Sequence, residues 1–171
     1  HGTDKALVAG ILGMDPSDAR IRDSLAIAKM RGIEIEFKEV DLGYVHPNTV
    51  KIVFYKTPEE SFYVIGSSIG GGNIIITNVD GNKVEFTGEM PTIILKYKDK
   101  KGTISKISSV LSLNDINIAT MKVSRDDKIA TMVLETDSVI NDEVLKRILE
   151  IEEIFYFKKV NIMEKGDKNV Q

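Results

Sequence analysis

A chain of 171 residues with 29% charged and 42% hydrophobic side chains has the balance of an ordinary globular protein, enough for one medium domain or two small ones. Its formal net charge of -3 argues against nucleic acid or an anionic membrane surface as a partner, and no apolar run approaches the ~18 residues that a membrane span needs. Cysteine is absent, which excludes disulfides and any thiolate-held zinc or iron–sulfur centre built from this chain alone.

The chain opens on His1 without an initiator Met and reads as the later part of a longer polypeptide. HGTDKALVAGILG predicts a helix, with Thr3 as N-cap, an apolar stripe of Leu7, Val8, Ile11 and Leu12, and Gly13 as the stop. A second helix is predicted directly after it, with Asp15 as cap, Pro16 at the first helical position and Asp18 complementing the positive helix end. Ile21, Leu25 and Ala28 share its apolar face and Gly32 ends it. The texture then changes. IEIEFKEV (33–40) alternates apolar and charged residues, the pattern of a strand with one solvated face. Stretches 50–55 and 61–67 are further strands, and 73–79 and 83–86 flank Asp80-Gly81, a strong two-residue hairpin signal. Residues 1–89 therefore read as helices followed by a mostly antiparallel sheet, with a boundary at Gly88-Glu89-Met90-Pro91.

Beyond that boundary the order is strand, helix, strand, strand, helix, strand. TIILKY (92–97) is the first strand, and the helix after Gly102 carries Ile104, Ile107, Val110 and Leu111 on one face. INIATMKV (116–123) and KIATMVLE (128–135) form a hairpin across Arg125-Asp126-Asp127. Asn141 caps the second helix, with Val144, Leu145, Ile148 and Ile151 inward, and 154–163 closes the unit. This is a ferredoxin-like βαββαβ module over 92–163, followed by a polar tail at 164–171, so the fold class is α+β. The element order by itself says little about activity.

Four stretches are candidates for function. GSSIGGGNI (66–74) places three glycines between two strands, where a phosphate loop would need a helix to follow and a Gly-Lys-Ser/Thr. It reads as a glycine bend in the sheet or as a backbone nest for a small anion or a close-packed subunit. His46-Pro47-Asn48-Thr49 has the composition of a turn carrying one imidazole. His1-Gly2-Thr3 combines a titratable ring with a helix start. In Tyr97–Ile104 the N–H groups at a helix start can receive a carboxylate, and Asn117 begins the next strand, where it could lie beside that loop; the plain reading is a β–α loop and a turn asparagine.

HGTDKAL, HPNTVKI, GSSIGGGNI, GNKVEFTGE and the run GTISKISSVLSLNDINIATMKVSRDDKIATMVLETD together resemble the β subunit of the iron–sulfur-dependent L-serine dehydratases, over nearly all of 1–163. The terminal module resembles an ACT domain, an amino-acid-binding regulatory unit. The part before it, 1–89, resembles the allosteric substrate-binding α/β domain shared with D-3-phosphoglycerate dehydrogenases, in N-terminally truncated form. The alternative with the same domain pairing is the serine-sensing region of such a dehydrogenase, or a non-catalytic amino-acid-binding module.

The resemblance implies the reaction of an L-serine ammonia-lyase in the cytoplasm, L-serine to pyruvate and ammonia. It implies a [4Fe-4S] cluster, held by the cysteines of a separate α subunit, as Lewis acid on the leaving hydroxyl. His1, Gly2 and Thr3 match the family's His-Gly-Thr, and His46 and Asn48 its His-Pro-Asn-Thr, so His1, Thr3, His46 and Asn48 are the catalytic candidates in a site shared with the α subunit. The family's Gly-Pro-Ser-Ser-Ser-His-Thr motif is absent from this sequence. Ser67, Ser68, Gly70, Gly71 and Gly72 are implied to meet a small anion or the α subunit. In the ACT module the implied contacts to an effector, L-serine or a related amino acid, are Tyr97, Asp99, Gly102, Thr103 and Asn117, with Lys101 in place of the common Pro and Asp99 in place of a common Asn. ACT domains commonly pair side by side, which implies a homodimer.

Overall fold

Periodicity, caps and partners decide each element. In the computed structural model, which describes residues 2–160, the chain divides between Tyr44 and Val45 into two compact units. In the first, helix α1 spans Thr3–Ile11. Gly2, not Thr3, is its N-cap, at φ 84°, and no side chain caps it. The C-terminus closes as a Schellman turn around Gly13 (φ 75°): Met14 N–H donates to the Ala9 carbonyl at 2.9 Å and Gly13 N–H to that of Gly10 at 3.0 Å. Ile11, expected in the apolar stripe, is exposed.

The predicted second helix is split. Asp15 accepts from Ser17 N–H at 3.0 Å and from its hydroxyl at 2.7 Å, and this local turn competes with helix. A 3₁₀ turn over Ala19–Asp23 follows, capped by Asp18 rather than Asp15. Arg20 donates to that carboxylate from its backbone at 2.8 Å and from its guanidinium, and holds the Asp18 pKa down at about 2. Helix α2 then spans Ser24–Met30. The buried Ser24 hydroxyl donates to the Lys5 carbonyl at 2.8 Å, tying α2 to α1 around Val8, Ala9 and Ala28.

The alternating stretch 33–40 forms no strand. Ile33, Phe37 and Val40 are exposed at 38%, 52% and 62%. A strand requires a neighbour to take its N–H and C=O groups, and none pairs with this stretch among the described residues.

In the second unit, strands β1 (Thr49–Tyr55), β2 (Ser61–Gly70), β3 (Asn73–Val79) and β4 (Asn82–Phe86) form an antiparallel meander in that order. Asp80 (φ 52°) and Gly81 (φ 83°) make the hairpin between β3 and β4 with positive φ at both central positions, as a type I′ turn requires. The second sheet, ordered β6-β7-β5-β8, is antiparallel throughout. It is built from β5 (Thr92–Lys98), β6 (Ile118–Asp126), β7 (Ile129–Thr136) and β8 (Ile154–Val160), with α3 (Thr103–Leu113) after β5 and α4 (Asp142–Leu149) after β7. This is the expected βαββαβ module and the α+β class holds; residues 161–163 of its last expected strand and the expected polar tail 164–171 lie outside the described residues.

β5 explains how the two sheets share one unit. Ile93, Leu95 and Tyr97 pack with Ile107 and Leu111 of α3 and with Val144 and Ile148 of α4. Ile94, on the other face, packs with Val133 against Val79 and Phe86 of the first sheet. A strand covered on both faces reads as a continuous apolar run. Ile104 is a correction: it is 40% exposed, because Thr103, Ile107 and Leu111, spaced four apart, make the buried line of α3. Asn141 caps α4 as expected, its carbonyl oxygen accepting from Val144 N–H at 2.9 Å.

Candidate functional site

Two of the motifs meet at one end of the first sheet. The antiparallel register sets Thr49, at the start of β1, opposite Ser67 of β2. Their hydroxyl oxygens are 2.7 Å apart, and the Thr49 hydroxyl donates to the His46 carbonyl at 2.5 Å. Ser68 N–H donates to the Asn48 carbonyl at 2.9 Å, so the loop 46–49 is fastened to β2 by backbone and side chain together. Asn48 N–H donates to His46 Nδ1 at 3.2 Å. With Nδ1 occupied as an acceptor, the neutral ring carries its proton on Nε2. His46 and Asn48 are exposed, while Ser67 is buried.

The triple glycine lies farther along β2. Gly70 pairs with Asn73, so Gly71 and Gly72 are a two-residue hairpin turn, with φ 64° and 80°. Both central positions need the left-handed region, which glycine enters without cost to a side chain. The bend reading therefore holds: a strand follows, and the turn carries no helix start for a phosphate. Ser67, Ser68 and the glycine turn thus lie along β2, the strand to which the loop of His46 and Asn48 is fastened. Thr3 is exposed in the first turn of α1, in the other unit, and His1 lies outside the described residues.

A second cluster surrounds the start of α3. Gly102 is the N-cap of that helix at φ 89°, and the buried Thr103 hydroxyl donates to the Lys100 carbonyl at 3.0 Å. Asp99 N–H donates to the Lys128 carbonyl at 2.8 Å, and Arg125 Nε lies 3.1 Å from the Asp99 carboxylate. Tyr97 is 1% exposed, and its hydroxyl is buried with no hydrogen-bond partner among the described residues. Burial pushes its pKa up, the Asp99 carboxylate adds to the rise, and Arg125 opposes it. On the far side of the helix start Lys106 Nζ holds the buried Glu153 carboxylate at 2.8 Å and lowers its pKa.

Asn117 does not join this cluster within one chain. Its side-chain amide donates to Asp137 at 2.7 Å, beyond the Thr136 end of β7, whereas Lys98 pairs with Ile129 at the other end. Arg125, Asp137 and Glu153 were not singled out by sequence reasoning. Each acts on a residue 20 or more positions away, Asp99, Asn117 and Lys106 respectively, so no local motif marks it.

The model of the ACT domain family matches residues 92–153, which run from β5 through α4 and stop just before β8. An L-serine dehydratase, beta chain, from Peptoniphilus asaccharolyticus is 42% identical over 95% of this chain and 74% of its own length. A probable L-serine dehydratase, beta chain, from Bacillus subtilis is 38% identical over 94% of this chain and 73% of its own. This chain belongs to the L-serine dehydratase beta-chain family. A D-3-phosphoglycerate dehydrogenase from Bacillus subtilis is 28% identical over 92% of this chain, but the match takes in only 30% of that enzyme. For a dehydratase beta chain, the two clusters now have a context: the ACT domain carries the Tyr97–Thr103 loop, and the sheet before it carries the His46–Ser67 cluster.

Proposed function

We propose that this chain is the β subunit of an L-serine ammonia-lyase, converting L-serine to pyruvate and ammonia in a site shared with an α subunit. The observation that carries this reading is the fastening of the His46–Thr49 loop to Ser67 and Ser68 in a chain 42% identical to a dehydratase beta chain. The reaction removes the Cα proton and expels the β-hydroxyl, so it requires a base and a donor to the departing oxygen. In the tautomer set by Asn48 N–H, the neutral His46 ring is a donor through Nε2. That suits hydrogen bonding to the substrate carboxylate or to the departing hydroxyl rather than abstraction of the Cα proton. Asn48 contributes its side-chain amide and fixes the ring. Ser67, through Thr49, fixes the loop.

The [4Fe-4S] cluster of the family does not fit ligands in this chain. Cysteine is absent, and among the described residues no group of three or more His, Asp or Glu gathers. The cluster is assigned to the α subunit. Regulation is assigned to the ACT domain. The outward N–H groups at the start of α3 receive the carboxylate of L-serine or a related amino acid, beside Tyr97 and Asp99. β6 is an edge strand that runs from the Asn117 end to the Arg125 end of the sheet. Antiparallel pairing of two β6 edges about a two-fold axis brings Asn117 of one copy to the Asp99–Arg125 end of the other, which makes the effector site a property of the homodimer.

The test is co-expression with a cysteine-containing α subunit, anaerobic purification and measurement of pyruvate released from L-serine. Turnover that falls at least about 100-fold in His46→Ala supports the reading. A complex that forms, carries its cluster and releases no pyruvate refutes it. Absence of any calorimetric heat or dimer shift at millimolar L-serine refutes the regulatory part.

A further inference from the structure

We propose that residues 33–42 are an incomplete β-strand whose partner strand comes from the part of the family's polypeptide that lies outside these 171 residues. Three observations carry this. First, Ile33-Glu34-Ile35-Glu36-Phe37-Lys38 has the strict alternation of a half-buried strand, yet the stretch makes no ladder among the described residues. Its apolar members are displayed instead, with Phe37 52% and Val40 62% exposed. Second, an open groove of about 480 Å³ runs alongside, lined by Leu25, Lys29, Gly32, Ile33, Glu34 and Ile35. That places Leu25 and the Lys29 side chain of α2 next to Ile33 and Ile35 of the unpaired stretch. Third, the match to the Peptoniphilus chain spans 74% of it, so about a quarter of such a chain lies elsewhere and is long enough to supply a strand.

The charge pattern selects this occupant over a second copy. Within 33–42, Glu34, Glu36, Glu39 and Asp41 stand against Lys38 alone. Pairing two copies would bring two segments of net charge -3 side by side, four acidic groups against one basic in each, and that repulsion disfavours self-association. Beyond Ile33, whose N–H donates to the Ala28 carbonyl, a backbone with no ladder partner among the described residues, lying beside a groove, is also the geometry that strand addition uses.

The experiment is hydrogen–deuterium exchange on the 171-residue chain and on a family-length chain that carries the additional polypeptide. In the shorter chain the amides of 33–42 exchange with little protection. In the longer chain they slow at least about 100-fold, as ladder amides do, while β5–β8 exchange alike in both and report that the fold is intact. Glu36→Pro, which removes one donor, abolishes the added protection in the longer chain and leaves the shorter one unchanged. Equal exchange of 33–42 in the two chains overturns the proposal. So does protection that appears only as concentration rises, which assigns the strand to a second copy, or only when an α subunit is added.

Discussion

Replacing Thr49 by Val tests whether the His46 loop is held by one hydroxyl. Thr49 Oγ1 has a single proton, and the two contacts at 2.5 and 2.7 Å are satisfied together when it donates to the His46 carbonyl and accepts from Ser67. Valine keeps the shape and deletes both. The His46 carbonyl is exposed and turns to water, but the Ser67 hydroxyl, 6% exposed, loses its acceptor. A buried hydroxyl left without a partner costs about 1–3 kcal/mol. With a urea slope of about 2 kcal/mol per molar, Thr49→Val lowers the unfolding midpoint of the unit carrying β1–β8 by roughly 0.5–1.5 M. Thr49→Ser keeps the hydroxyl and loses less than half as much. Adding Ser67→Ala to Thr49→Val removes the orphaned group, so the double variant is no less stable than Thr49→Val alone. Urea melts followed by circular dichroism measure the parent, Thr49→Val, Thr49→Ser, Ser67→Ala and the double variant. Thr49→Val within about 0.3 kcal/mol of the parent, or losses that simply add in the double variant, would refute the relay. Paired with the α subunit, Thr49→Val is also expected to lower kcat more than it raises KM, because it loosens a positioned ring rather than a binding contact.

Tyr97→Phe removes a buried hydroxyl that has no partner among the described residues, so the free protein is expected to be equally stable or more stable by up to about 1 kcal/mol. The same change should weaken L-serine binding measured by calorimetry if the hydroxyl serves the effector. Lys106→Met removes the group that lowers the Glu153 pKa from 4.5. Because the folded pKa is depressed, Glu153 stabilises the fold above its unfolded value, and that stability is lost as pH falls through the folded one. Thermal melts of the parent should therefore decline below about pH 4.5, and the variant should be flatter across that window. Asn141→Ala removes the only side-chain cap of α4 and is expected to cost about 1 kcal/mol, with Asn141→Asp close to neutral, as read from urea midpoints.

Much of this molecule was legible from its residues because the relevant physics is local. Asp80-Gly81 and Gly71-Gly72 are turns for a backbone reason that any neighbours would leave unchanged. Asn141 announces its helix because its side chain reaches a donor three residues on. The βαββαβ order follows from period and breakers. The competition at residues 15–24 was local too, but several residues could cap there: Asp15 closed a small turn with Ser17, and the helix moved to a later start.

What the sequence alone determined, then, is each short-range choice: which segments turn, which alternate, which cap. It also determined the family, through motifs kept in order over the chain. Tertiary structure decided everything that depends on a partner distant in sequence. The register of β1 against β2 joins His46 to Ser67, and the length of β7 separates Asn117 from Asp99. The apolar run 93–95 is covered on two faces because a second sheet lies over it. Residues 33–42 have every local mark of a strand and form none here, because a strand's hydrogen bonds belong to its neighbour rather than to itself.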